Sequence, residues 1–150
     1  MREVFFCHMA DNDALQFAVV VPRYQGKWVY CKQEDRNTYE LPGGSRRDAE
    51  NIEATARRVL SEKTGAACFR MMPVSIYGVR KEDGSEAFGM LYFAEVQEFF
   101  PLPVSETKRT ELFGGIPGEL TFPDIEPVLQ HRVEDFLKET FPAGPGPEVP

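Results

Sequence analysis

The chain is 150 residues long, 42% hydrophobic and 27% charged, which suits one ordinary domain able to bury a core without staples. A formal charge of -7 argues against general nucleic-acid binding, although a bound divalent cation can still invert the local field around a nucleotide. No apolar run approaches membrane-spanning length, and the N-terminal MREVFFCHMADND lacks a signal core and cleavage site, so a cytoplasmic protein with no membrane contact is expected.

In chain order, residues 4–8 and 16–21 are short apolar runs around a polar turn at Ala10, Asn12 and Asp13, a pattern that predicts a hairpin. Pro22 is expected to stop the second strand. Gln25 and Gly26 make a turn, residues 28–31 a third strand and residues 38–41 a further short one. Asn51 then suits the N-cap of a helix over about residues 52–63, in which Ile52, Ala56, Val59 and Leu60 recur at helical spacing and Gly65 closes the end. Residues 69–79 and 87–96 read as two long strands around the turn Lys81-Glu82-Asp83-Gly84. A last strand is expected at 111–116. A second helix follows over about 124–140, with Pro127 in its first turn. The Pro/Gly-rich residues 142–150 read as a disordered tail, leaving 1–141 as a single domain. Strands, helix, strands and helix describe an α/β protein with a mixed sheet packed between helices. Cys7, Cys31 and Cys68 are scattered and odd in number, and read as small buried thiols in a reducing compartment.

Residues 41–66, LPGGSRRDAENIEATARRVLSEKTGA, carry the chemistry. A glycine turn lets backbone approach a ligand without a Cβ in the way. Acidic groups at i, i+3 and i+4 on the following helix would share one face. Cleaving a phosphoanhydride needs its phosphates neutralised and a water in line, work that carboxylate-held Mg²⁺ or Mn²⁺ can do. The segment resembles the Nudix box, G-x5-E-x7-R-E-U-x-E-E-x-G-U with U aliphatic. Gly44, Glu50, Arg58, Leu60, Glu62 and Gly65 fall on pattern positions without a gap, and Ala66 is a weaker match for the last. The box covers about a sixth of the chain. GKWVYCKQEDRNTYELPGG before it, the LYFAEV strand and the terminal helix also resemble bacterial MutT-like members.

The resemblance implies a Nudix-type α/β/α sandwich and a pyrophosphohydrolase acting on a nucleoside diphosphate linked to another moiety. It implies Glu62 as metal ligand and catalytic carboxylate, with the Gly44 carbonyl as a backbone ligand. It places Gly43 and Gly44 beside the substrate phosphates, and makes Glu50, Arg58 and Gly65 structural; Lys63, where the pattern has a glutamate, is read as a point charge that touches substrate phosphate and takes over part of the cation's role. Glu106 stands where many members draw a further metal or base carboxylate, with Glu111 as the less favoured substitute. The chain departs from the box at Val59 and Lys63, where the pattern has glutamates. One negative and one positive charge on a face expected to carry three negatives should weaken Mg²⁺ or Mn²⁺ binding and make activity low or atypical. The alternative is a catalytically silent module that binds a nucleotide or sugar nucleotide. Members often pair, so a homodimer is possible, and a small nucleotide is the implied ligand. Lys32, Arg36 and Arg80 are read as solvated or paired rather than phosphate-binding, and Tyr30, Tyr39, Phe88 and Phe113 as core aromatics.

Overall fold

The computed structural model describes residues 2–8, 10–33, 36–100 and 108–142. Its strands are β1 (Glu3–Cys7), β2 (Leu15–Tyr24), β3 (Lys27–Gln33), β4 (Gly43–Ser45), β5 (Ala66–Arg80), β6 (Glu86–Phe99) and β7 (Lys108–Phe113), and its α-helices are α1 (Ile52–Thr64) and α2 (Glu126–Thr140). They form one seven-stranded mixed sheet in the order β1-β5-β6-β2-β3-β7, with β4 laid beside β2. Among the named strands of the described residues only β2 and β6 pair in parallel; the other ladders are antiparallel.

Alternation along β2 divides the core. Ala18 and Val20 turn to the face covered by α1, where they meet Ala56, Leu60, Tyr92 and Ala94. Val21 turns to the opposite face and packs with Tyr30, Tyr77, Phe93 and, from α2, Leu129 and Val133. The result is an α/β/α sandwich. Among the described residues no helix is long and apolar enough to cross a membrane.

The local signals that worked were stereochemical. Gln25 and Gly26 both have positive φ (51° and 80°), the turn that joins β2 to β3 in two residues. Asn51 Oδ1 accepts from Ala54 N at 2.7 Å and Gly65 closes α1 in the left-handed region at φ 80°. Several readings are corrected. The first two strands form no hairpin: β1 pairs antiparallel with β5 at the sheet edge, while β2 runs beside β6 in the interior. A polar turn between two apolar runs says only that the chain bends; the distant partner strand decides the pairing. β2 also continues past Pro22 to Tyr24, the proline lying near the strand end where few ladder bonds are at stake. Residues 38–41 hold only isolated bridges at Tyr39 and Glu40. The last strand is β7, shifted toward the N-terminus because it is set by register with β3, and α2 starts at Glu126. Of the cysteines only Cys31 is buried, Cys7 is intermediate and Cys68 is exposed. Of the expected tail at 142–150, residues 143–150 lie outside the described residues.

Candidate functional site

The segment between β4 and α1 is tied down by one carboxylate. Glu50 Oε2 accepts from Arg58 Nε at 2.6 Å, while its Oε1 accepts from Arg47 N and Thr55 Oγ1, each at 2.9 Å. Arg58 Nη2 also reaches the Ser45 carbonyl at 2.9 Å, so one guanidinium joins β4, the loop and the helix. The Arg58 guanidinium, followed by the backbone and hydroxyl donors, holds the Glu50 carboxyl down at about 2. The loop is bent enough to place Ala49 at φ 69°, a left-handed conformation that costs a residue with a Cβ. Satisfied hydrogen bonds on both sides keep it there.

Beside this knot opens a cleft of about 520 Å³, within the range of small-molecule sites. Its apolar floor includes Phe17 and Val19 of β2, Tyr77 of β5 and Leu129 of α2, and its polar groups include Glu40, Lys63 and Glu126. Gly43 and Gly44 bring bare backbone to the wall. A Cβ at Gly44 would lie 2.8 Å from Val59 Cγ1, so the missing side chain lets α1 settle on β4. Lys63, in the last turn of α1, is 24% exposed, and its charge suits the negative end of the helix dipole. Its Nζ stands 4.0 Å from Glu40 Oε2, close enough to attract and too far for a hydrogen bond. Arg36 approaches Glu40 from another side at 3.8 Å.

Glu126 is the unusual acid of the cleft. It is buried at the start of α2, with Oε2 accepting from Leu41 N at 2.8 Å and Oε1 from Phe122 N at 3.2 Å. Burial pushes its carboxyl up to about 7, and the charges of Glu40 and Asp124 push the same way; the two backbone donors pull it back without prevailing. At the rim Asp124 grips Arg2 through paired bonds of 2.9 and 3.0 Å, fixing the chain's first described residue to the approach of α2.

The sequence-derived residues separate into three places. Gly43, Gly44 and Lys63 line the cleft. Glu50 and Arg58 form the knot, and Gly65 the helix cap. Glu62 points elsewhere: its carboxylate is 48% exposed and meets Arg58 at 3.4 Å and Arg47 at 3.9 Å. Glu106 lies outside the described residues. Glu111, on β7, accepts from the Tyr39 hydroxyl at 2.8 Å. Val59 is buried against β4 while Lys63 leans toward Glu40, so Val59, Glu62 and Lys63 do not present one common face. Sequence reasoning missed Glu40 and Glu126; the only hint was an acid immediately before Pro127 at a helix start, which reads equally well as an ordinary dipole partner.

The same geometry tests a divalent cation. Glu62 is paired with Arg58 at 3.4 Å and Arg47 at 3.9 Å, Val59 offers no donor, and Lys63 brings a competing charge. Among the described residues no three His, Cys, Asp or Glu side chains gather into a cation-holding group. The described residues of the box do not by themselves make a site for such an ion.

No protein-family model matches the sequence, and no curated protein matches it. Solved structures do. The pyrophosphohydrolase BsRppH of Bacillus subtilis superposes with a TM-score of 0.74 at 26% identity, over 93% of this chain and 90% of that one. A UDP-X diphosphatase matches with a TM-score of 0.69 at 11% identity, over 96% and 70%. An ADP-ribose pyrophosphatase from Streptococcus suis matches at 0.59 and 12%, over 89% and 95%. The last two speak to the fold alone. With the gapless box, the α/β/α layering and the near-complete overlap with the Bacillus protein, the chain has the Nudix hydrolase fold and is similar to members of that family.

Proposed function

We propose that this protein is a Nudix-type pyrophosphohydrolase that cleaves a nucleoside diphosphate linked to another moiety, with weak or atypical turnover. The observation that carries this reading is the end-to-end likeness to a pyrophosphohydrolase, together with a cleft whose wall combines bare glycine backbone and a lysine. In this reading the apolar floor holds the organic part of the substrate, and Gly43, Gly44 and Lys63 take the phosphates. Glu126, with its proton affinity near neutrality, accepts a proton from water inside the cleft. Glu62 and Glu106 are the carboxylates assigned to the reaction by resemblance. Mg²⁺ or Mn²⁺ would bind with reduced affinity, through Glu62, Glu106 and the Gly44 carbonyl, because Val59 and Lys63 stand where the pattern has two further acids. A cytoplasmic location suits a nucleotide substrate.

Purified protein incubated with a panel of nucleoside diphosphate derivatives should release a nucleoside monophosphate, followed by ion-exchange chromatography. Absence of product from every compound at high enzyme concentration rejects the hydrolase.

One observation favours a second reading, a silent binding module. Glu62, the helix acid that matches the box, is occupied by Arg58 and Arg47. Saturable nucleotide binding with no product at any enzyme concentration would select it.

A further inference from the structure

We infer that Lys63 takes the place of a divalent cation in this cleft, and that a diphosphate ligand is held there directly, without metal. The inference rests on the proposed nucleoside diphosphate ligand and goes beyond it by naming what neutralises the phosphates.

The first ground is charge. Relative to the box pattern, Val59 removes one negative charge, and Lys63 replaces a negative charge by a positive one. The helix end therefore becomes more positive by three charges, against the two that a divalent ion supplies. A wall of three carboxylates repels a diphosphate until a cation intervenes; a wall of one buried valine and one lysine does not.

The second ground is geometry. Val59 is sealed between α1 and β4, with its methyl group against Gly44, so the place of one carboxylate is filled by packing and is closed to water. Lys63 lines the cleft, as Gly43 and Gly44 do. Among the described residues its charged partner is Glu40 at 4.0 Å, which leaves its N–H donors unspent. Glu40 is itself buried, held by backbone bonds of 2.9 Å in both directions with Cys31, and approached by Arg36. It steers the lysine without covering it. Glu62 faces its arginines and leaves Lys63 without competition from the preceding residue of the helix.

The third ground is access. Lys63 and the backbone of Gly43 and Gly44 line the same cleft, where phosphate oxygens can approach the wall, and the apolar floor belongs to that cleft too, for the rest of the ligand. A lysine acts here as a point charge with three donors, which suits tetrahedral phosphate in any rotation about its axis.

The test uses the full chain and two probes, ADP and inorganic pyrophosphate, titrated by calorimetry in EDTA and again in millimolar Mg²⁺. Both probes should bind in EDTA, and Mg²⁺, which sequesters the diphosphate in solution, should leave the affinity unchanged or lower. Lys63→Met should weaken binding at least about tenfold, the loss of one charge-assisted contact, and Lys63→Arg should restore most of it. Lys63→Gln, with melting curves for each variant, guards against a folding defect. Binding that appears only with Mg²⁺ overturns the metal-free site and leaves the hydrolase reading standing. Binding in EDTA that survives both Lys63→Met and Lys63→Gln overturns the role of Lys63. No binding of either probe in either buffer, with no turnover in the nucleotide panel, overturns the site and the proposed function together.

Discussion

The loop-to-helix knot and the adjoining cleft use similar residues in opposite ways. In the knot every charge is saturated: Glu50 is bound by a guanidinium, a hydroxyl and a backbone donor, and its carboxyl stays ionised down to about 2. In the cleft, Glu126 is buried beside two other acids and retains its proton to about 7, while Lys63 and Glu40 stand just out of hydrogen-bond range. Saturated charges hold an architecture, whereas under-compensated charges in a concavity are available to a ligand. The family pattern survives in the knot and has been rewritten at the cleft, so shape and chemistry can be altered separately in this chain.

Mutation can break that separation. The largest effect is expected from Val59→Glu, which restores the box letter but buries a carboxylate where the side chain is 1% exposed. An unpaired charge there should cost on the order of 3 kcal/mol or more, a fall of roughly 10 °C in Tm by calorimetry. A Tm unchanged within about 2 °C would mean that the interface between α1 and β4 is looser than its packing indicates.

Next comes the pH dependence of Glu126. Its folded carboxyl is raised to about 7 from an ordinary 4.5, so the folded state holds a proton that the unfolded chain releases. Its favourable contribution is complete below about pH 4.5, declines as pH rises, and is gone above about 7, a change on the order of 3 kcal/mol. Urea denaturation across that window should show wild-type stability falling, and Glu126→Gln should flatten this part of the slope. A slope unchanged in Glu126→Gln would place the titration elsewhere.

Arg58→Met should have a smaller effect, about 1 to 2 kcal/mol after allowance for solvent screening, with the loop freed from the helix. Because Glu50 is depressed to about 2, its stabilisation is present above pH 4.5 and is lost as pH falls toward 2. Acid denaturation of Arg58→Met should lack this component. The smallest effect belongs to the exposed pair Glu53–Arg57 on the outer face of α1, 3.0 Å apart. Arg57→Ala should change stability by no more than about 0.5 kcal/mol in the same urea experiment. A larger loss would show that the outer face of α1 contributes as the knot does.

Much of the scaffold was legible because it is written in local stereochemistry. Asn51, Gly65 and the Gln25-Gly26 turn each declare a backbone conformation through their own side chain or its absence, and the helix needed only its apolar period. The first strand was misassigned because its partner, β5, lies some seventy residues away, and hairpin signals carry no information about distant edges. The glycine turn and Lys63 were read in advance as neighbours of a ligand. Glu126 and Glu40 were not, since a carboxylate becomes unusual only through what buries it.

The sequence by itself determined the resemblance to the Nudix box, the register of the helix and the absence of two acids, because these follow from residue identity at fixed spacing along one element. Only the tertiary structure decided that Val59 is sealed, that Glu62 is occupied by arginines, and that Lys63 faces a cleft shared with two buried acids. Burial and charge compensation are properties of neighbours brought together from β2, β4, α1 and α2. No single stretch of chain contains them.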